Sequence, residues 1–154
     1  MKENNIKIGV FTGSFNPFTI GHYDIVRRAL GVFDKIIIGV GENREKKTVV
    51  LPQERVENIR KIYKNDNRIE VKSYSGLTVD FAKENGASFI IRGIRSAADY
   101  DFESMQADIN MRLGGVDTLI IFSKPELSSV SSSLVRELES FGKEISQFIP
   151  CRNK

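Results

Sequence analysis

Cysteine and histidine are almost missing from this chain of 154 residues: there is one of each. The single cysteine, Cys151, excludes an intramolecular disulfide framework and a cysteine-built zinc site. Its place near the C-terminal end argues against a catalytic thiol. The apolar run after Met1–Asn5 is too short for a signal peptide, and no run approaches the length of a membrane span. The expected compartment is the cytoplasm, with no membrane partner. The net charge is +3, yet no long Lys/Arg block or basic-aromatic stripe is present. That weighs against a nucleic-acid partner while suiting an anionic ligand. Neither the Gly-x-x-x-x-Gly-Lys-[Ser/Thr] loop nor a Gly-x-Gly-x-x-Gly fingerprint occurs. No Ser-His-Asp or Cys-His set stands out. The lack of an evident nucleophile points toward direct phosphoryl or nucleotidyl transfer, where positioning and charge stabilisation supply most of the catalysis.

What is present is ordinary for a soluble single domain spanning residues 1–154: 40% hydrophobic and 28% charged residues. Short apolar runs alternate with amphipathic ones. Ile6–Phe11, Lys35–Gly41, Ile69–Tyr74, Phe89–Arg92 and Thr118–Phe122 read as strands. Ile36–Val40 and Phe89–Ile91 lack polar alternation, as in a sheet buried on both faces. Helical stripes follow: Ile25, Val26, Ala29 and Leu30, ended by Gly31; Val56, Ile59 and Tyr63 after Pro52; Ala98, Phe102, Met105 and Ile109; and Leu134, Val135 and Leu138. The third stripe suits an interface as well as a core. Strict β-α alternation predicts an α/β fold, a Rossmann-like doubly wound five-stranded parallel sheet with helices on both faces. Its ligand belongs at the carboxyl ends of the strands.

The segments after the strands therefore carry the candidates. Gly13-Ser14-Phe15-Asn16-Pro17-Phe18-Thr19-Ile20-Gly21-His22 joins a buried strand to a helix start, a place where backbone N–H groups face phosphate. His22 suits a donor to a phosphate oxygen, or a structural histidine bonding a nearby carbonyl; its place in the glycine turn favours the donor. Glu45-Lys46-Lys47 reads as a solvated charge run or as a mobile cation over the site, with neither lysine singled out. Arg92 and Arg95, parted by a glycine, suit phosphate oxygens or a surface pair tethered to Asp99 or Asp101. Ser128-Ser129-Val130-Ser131-Ser132-Ser133 supplies N-caps, a phosphate cradle, or both.

Thr19-x-Gly21-His22 resembles the (His/Thr)-x-Gly-His signature of the nucleotidyltransferases. Val130-Ser131-Ser132-Ser133-Leu134-Val135-Arg136 resembles their second, serine-rich signature. Within that superfamily, Arg92-Gly93-Ile94-Arg95 with Asp99-Tyr100-x-x-Glu103, and Tyr74-Ser75-Gly76-Leu77-Thr78-Val79-Asp80-Phe81-Ala82, look like the bacterial phosphopantetheine adenylyltransferases. The resemblance runs from about Ile8 to Pro150. It implies transfer of AMP from ATP to 4′-phosphopantetheine, giving dephospho-coenzyme A and pyrophosphate.

The same resemblance implies roles for individual residues. His22 would stabilise the transferring phosphate. Ser14 would bond the attacking phosphate, and Lys46, favoured over Lys47, would neutralise it. Arg92 and Thr78 would hold phosphopantetheine. Ser14, Phe15, His22, Gly93, Ile94, Arg95, Glu103, Leu127, Ser128, Ser129, Val130, Ser131, Ser132 and Ser133 would bind ATP, with Arg95 also serving the chemistry. Magnesium would arrive with ATP, without a protein cage. A homohexamer and feedback by coenzyme A are implied too. Ser14 departs from a common threonine, Asn16 from aspartate and Phe11 from tyrosine. The alternatives are another transferase of the superfamily, such as a nicotinate-nucleotide adenylyltransferase or a glycerol-phosphate cytidylyltransferase, and a non-catalytic ATP sensor. The former usually carry histidine where this chain has Thr19.

Overall fold

A computed structural model describes residues 5–42 and 50–150. Five β-strands and five α-helices alternate: β1 (Ile8–Gly13), α1 (Ile20–Ala29), β2 (Lys35–Gly41), α2 (Pro52–Ile62), β3 (Ile69–Tyr74), α3 (Thr78–Glu84), β4 (Phe89–Ile94), α4 (Ala97–Gly114), β5 (Asp117–Phe122) and α5 (Ser132–Ser140). The strands are all parallel in the order β3-β2-β1-β4-β5. This is the Rossmann-like sheet that the alternation predicts. The order reverses between β1 and β4, which opens a crevice at their carboxyl ends.

The apolar strands feed two cores because successive side chains point to opposite faces. Phe11, Ile36, Ile38 and Ile91 pack with Ile25, Val26 and Ala29 of α1 and Val56 and Ile59 of α2. Val10, Ile37 and Ile90 pack with Val79, Phe81 and Ala82 of α3. Helices therefore cover both faces.

Three local expectations need correction. The first strand starts later than Ile6 and runs to Gly13, since its register follows β2 from Ile8↔Lys35 to Gly13↔Val40. The fourth strand runs past Arg92: Gly93 and Ile94 belong to β4 and not to a loop, because they pair with Ile121 and Phe122 of β5. The α4 stripe is not core: Phe102 and Met105 are 54% and 55% exposed, and Glu103 is the buried residue of this helix.

Candidate active site

The turn after β1 is built around helix α1. Thr19 caps the helix, its side chain accepting the His22 N–H. His22 replies as a glutamate does in a capping box: its Nδ1 accepts the Thr19 backbone N–H at 2.9 Å. The proton of a neutral imidazole so held lies on Nε2. Phe15 and Phe18 pack their rings 5.0 and 5.3 Å from the imidazole. Burial, then the nearby charges of Arg95 and Arg92, lowers the His22 pKa from 6.5 to about 4. At neutral pH His22 is thus uncharged, and its structural bond is to the Thr19 backbone N–H and not to a carbonyl.

Two further loops meet this turn. Arg92 grips both oxygens of Glu103, at 2.8 and 2.6 Å, and donates to the Thr12 carbonyl. Arg95 lies 3.4 Å from Asp99, whose carboxylate also accepts the Arg95 backbone N–H. Both arginines are thus tethered to acids while lining the same cavity, and each guanidinium has more donors than its carboxylate uses. From the other side, Ser131 caps α5 by accepting the Leu134 N–H, and Ser132 donates to the Pro17 carbonyl at 2.8 Å. Arg136 donates to the Asn16 carbonyl at 2.6 Å. The N-termini of α1 and α5 therefore open on one cavity.

That cavity, of about 390 Å³, lies at the carboxyl ends of β1, β4 and β5. Ser14, Phe15, His22, Arg92, Gly93, Arg95, Glu103, Leu127, Val130, Ser131, Ser132 and Ser133 all line it. Thr78 lines an adjoining cavity of about 180 Å³, which shares Thr12, Arg92 and Glu103 with the first. Tyr74 holds Thr78 there through a hydroxyl pair at 2.9 Å. Ile94, Ser128 and Ser129 do not line the main cavity: Ile94 borders a separate cleft with Tyr100 and Phe122, and the Ser128 hydroxyl turns to the Pro125 carbonyl. Glu45, Lys46, Lys47 and Cys151 lie outside the described residues.

Sequence reasoning missed Arg136, although it ends the quoted serine-rich segment; Thr12 and Ser123, which open the post-strand segments 12–22 and 123–133, also stand in the cavity wall but were given no role. Among the described residues no group of three or more His, Cys, Asp or Glu could hold a metal ion.

Residues 10–138 match the model of a family described as cytidylyltransferase-like, a span that encloses the cavity from Phe11 to Arg136. A phosphopantetheine adenylyltransferase of Bacteroides fragilis is 50% identical over 141 residues, covering 92% of this chain and 94% of that protein. One of Bacteroides thetaiotaomicron is 52% identical over 141 residues, covering 92% and 93%. The chain belongs to the phosphopantetheine adenylyltransferases. Their fold extends to more distant proteins. A bifunctional NMN adenylyltransferase/ADP ribose pyrophosphatase of Francisella tularensis superposes with a TM-score of 0.70 at 16% identity, over 96% of this chain and 46% of that longer one. In this phosphopantetheine adenylyltransferase-family chain no helix among the described residues is long and apolar enough to cross a membrane.

Proposed function

We propose that the protein moves the adenylyl group of ATP onto 4′-phosphopantetheine, giving dephospho-coenzyme A and pyrophosphate. The observation that carries the reading is identity of 50% and 52% to two phosphopantetheine adenylyltransferases over more than nine-tenths of each chain. The cavity supports it chemically. A phosphate oxygen of phosphopantetheine forms the bond to the α-phosphorus of ATP. The bond from that phosphorus to the bridging oxygen breaks, and its electron pair leaves with pyrophosphate. A phosphate nucleophile needs no strong base, so fixed donors and cations do the work. His22 offers Nε2–H to the transferring phosphate. Ser14 and Lys46 meet the attacking phosphate, and Arg92 with Thr78 holds phosphopantetheine. Gly93, Arg95 and the Leu127–Ser133 segment receive ATP.

Glu103, placed by resemblance with ATP, is better supported as the anchor of Arg92, since both its oxygens are taken by that guanidinium. Magnesium fits as the counter-ion of ATP and not as a caged metal, because Asp99 and Glu103 are already bonded within the protein. When bound it supplies charge neutralisation on the triphosphate. The whole chain, residues 1–154, acts as one nucleotidyltransferase domain in the cytoplasm. It works as a homohexamer under feedback by coenzyme A; the exposed apolar side chains of α4 support an interface there.

The test is pyrophosphate release from ATP with 4′-phosphopantetheine, beside ATP with nicotinate mononucleotide and CTP with glycerol 3-phosphate. Release from the first pair alone is expected. Release from another pair moves the substrate, and ATP binding without release from any pair replaces the enzyme by a sensor.

A further inference from the structure

Arg55 is the one charged residue that α2 buries, with 4% of its surface exposed. A buried guanidinium calls for acceptors. This one reaches out of its own helix to the turn after β1, where its Nη1 donates to the backbone carbonyl of Ser14. Its Nε–H has no acceptor among the described residues. Arg55 does not line the cavity, whereas Ser14, Phe15 and His22 do.

The Ser14 carbonyl belongs to the peptide joining Ser14 to Phe15, which is trans. A trans peptide is planar, with its C=O and N–H pointing in opposite directions. Holding the oxygen on Arg55, behind the cavity wall, turns the Phe15 N–H the other way. No carbonyl among the described residues is paired with that N–H. Phe15 also carries φ 47°, in the left-handed region that non-glycine residues rarely enter. Such a conformation persists where its surroundings over-determine it. Here the ring of Phe15 is wedged against His22 and Phe11, at 5.0 and 5.1 Å, and Arg55 fixes the preceding carbonyl.

We propose that Arg55 is a positioning residue for adenylyl transfer: by holding the Ser14 carbonyl it aims the Phe15 N–H into the cavity beside His22, as a second fixed donor to the phosphate oxygens of the nucleotide. Donors set before the reaction are the form of electrostatic stabilisation that costs no reorganisation in the transition state. The inference rests on the adenylyl-transfer reading.

The experiment uses the full chain, with ¹⁵N-labelled phenylalanine and α,β-methylene-ATP as the probe. In the wild type the Phe15 amide resonance is expected to move downfield on nucleotide binding. In folded R55Q that movement is lost, kcat falls at least about tenfold, and KM for ATP stays within about threefold. R55K, which keeps a buried donor, recovers part of both. A folded R55Q with wild-type kcat, or with the amide shift intact, overturns the proposal. If R55Q does not fold, the wild type and folded R55K decide: no shift in the wild type, or a wild-type shift and kcat in R55K, overturns the role, and a shift and kcat both reduced in R55K uphold it. A wild type that binds the probe but releases no pyrophosphate from ATP and 4′-phosphopantetheine refutes the reaction, while the Phe15 amide still reports on the donor.

Discussion

Nδ1 of His22 accepts the backbone N–H of Thr19 at 2.9 Å, so one side of the ring closes the start of α1 and the other is left to donate. The same residue is a helix cap and a candidate contact to the transferring phosphate. Removing it tests both. His22→Ala is expected to lower kcat by at least about 10²-fold with a smaller change in KM, the pattern of a contact made in the transition state. Steady-state kinetics on the folded variant check this, and a near-wild-type kcat removes His22 from the chemistry.

Because His22 is the only histidine, its ring resonances are unique in a proton spectrum. Their midpoint is expected at about 4 and not at 6.5, owing first to burial and then to Arg95 and Arg92. The unfolded chain takes up this proton near 6.5 and the folded one only near 4. The stability linked to this group is therefore complete above pH 6.5 and is lost as the pH falls toward 4. Thermal melts across that window should show Tm dropping, with His22→Ala losing this component of the slope.

Glu103 is buried against Arg92 and closes both ends of its carboxylate on that guanidinium. Glu103→Gln offers Arg92 one side-chain acceptor in place of a bidentate carboxylate, beside the Thr12 carbonyl it keeps. We expect a loss of about 1.5–3 kcal/mol, the range of a charge-assisted hydrogen bond, read by urea unfolding. KM for 4′-phosphopantetheine should rise more than KM for ATP. An effect on ATP alone would return Glu103 to the nucleotide.

At the opposite wall, Ser131 caps α5 through the Leu134 N–H at 3.1 Å. Ser131→Ala should cost about 1 kcal/mol, as N-cap removal does. If the same turn cradles ATP, KM for ATP also rises while KM for phosphopantetheine does not. Differential scanning calorimetry and paired KM measurements separate the two consequences.

Gly39 of β2 tests the support behind the site. A Cβ there would stand 2.5 Å from Cε1 of Phe81 and 3.1 Å from Cε1 of Tyr74, two rings stacked at 4.4 Å. Tyr74 in turn holds Thr78. Gly39→Ala is expected to destabilise by about 1–3 kcal/mol, as overpacking does, measured by chemical unfolding. A neutral result would mean that the rings yield freely.

The amino-acid order by itself determined the class of fold. Alternating apolar runs and amphipathic stretches leave few solutions other than a parallel sheet with crossover helices. The glycine turn ending in His22 and the serine run before α5 announced two helix starts, capped by Thr19 and Ser131, because capping chemistry is local. Lys35–Gly41 and Ile69–Tyr74 were legible to the residue, the first as an apolar run and the second as an apolar-polar alternation, both with clear ends. Tertiary structure alone decided the rest. Whether Gly93 and Ile94 continue the strand past Arg92 depends on β5 lying beside them, which no local signal carries. The exposure of Phe102 and Met105 depends on which face α4 turns to the sheet. Arg55 reads in sequence as one charge among several on an amphipathic helix. Only the packing of α2 against the turn after β1 buries it and gives it the Ser14 carbonyl, because a contact spanning 41 residues is fixed by the fold and not by the neighbours in the chain.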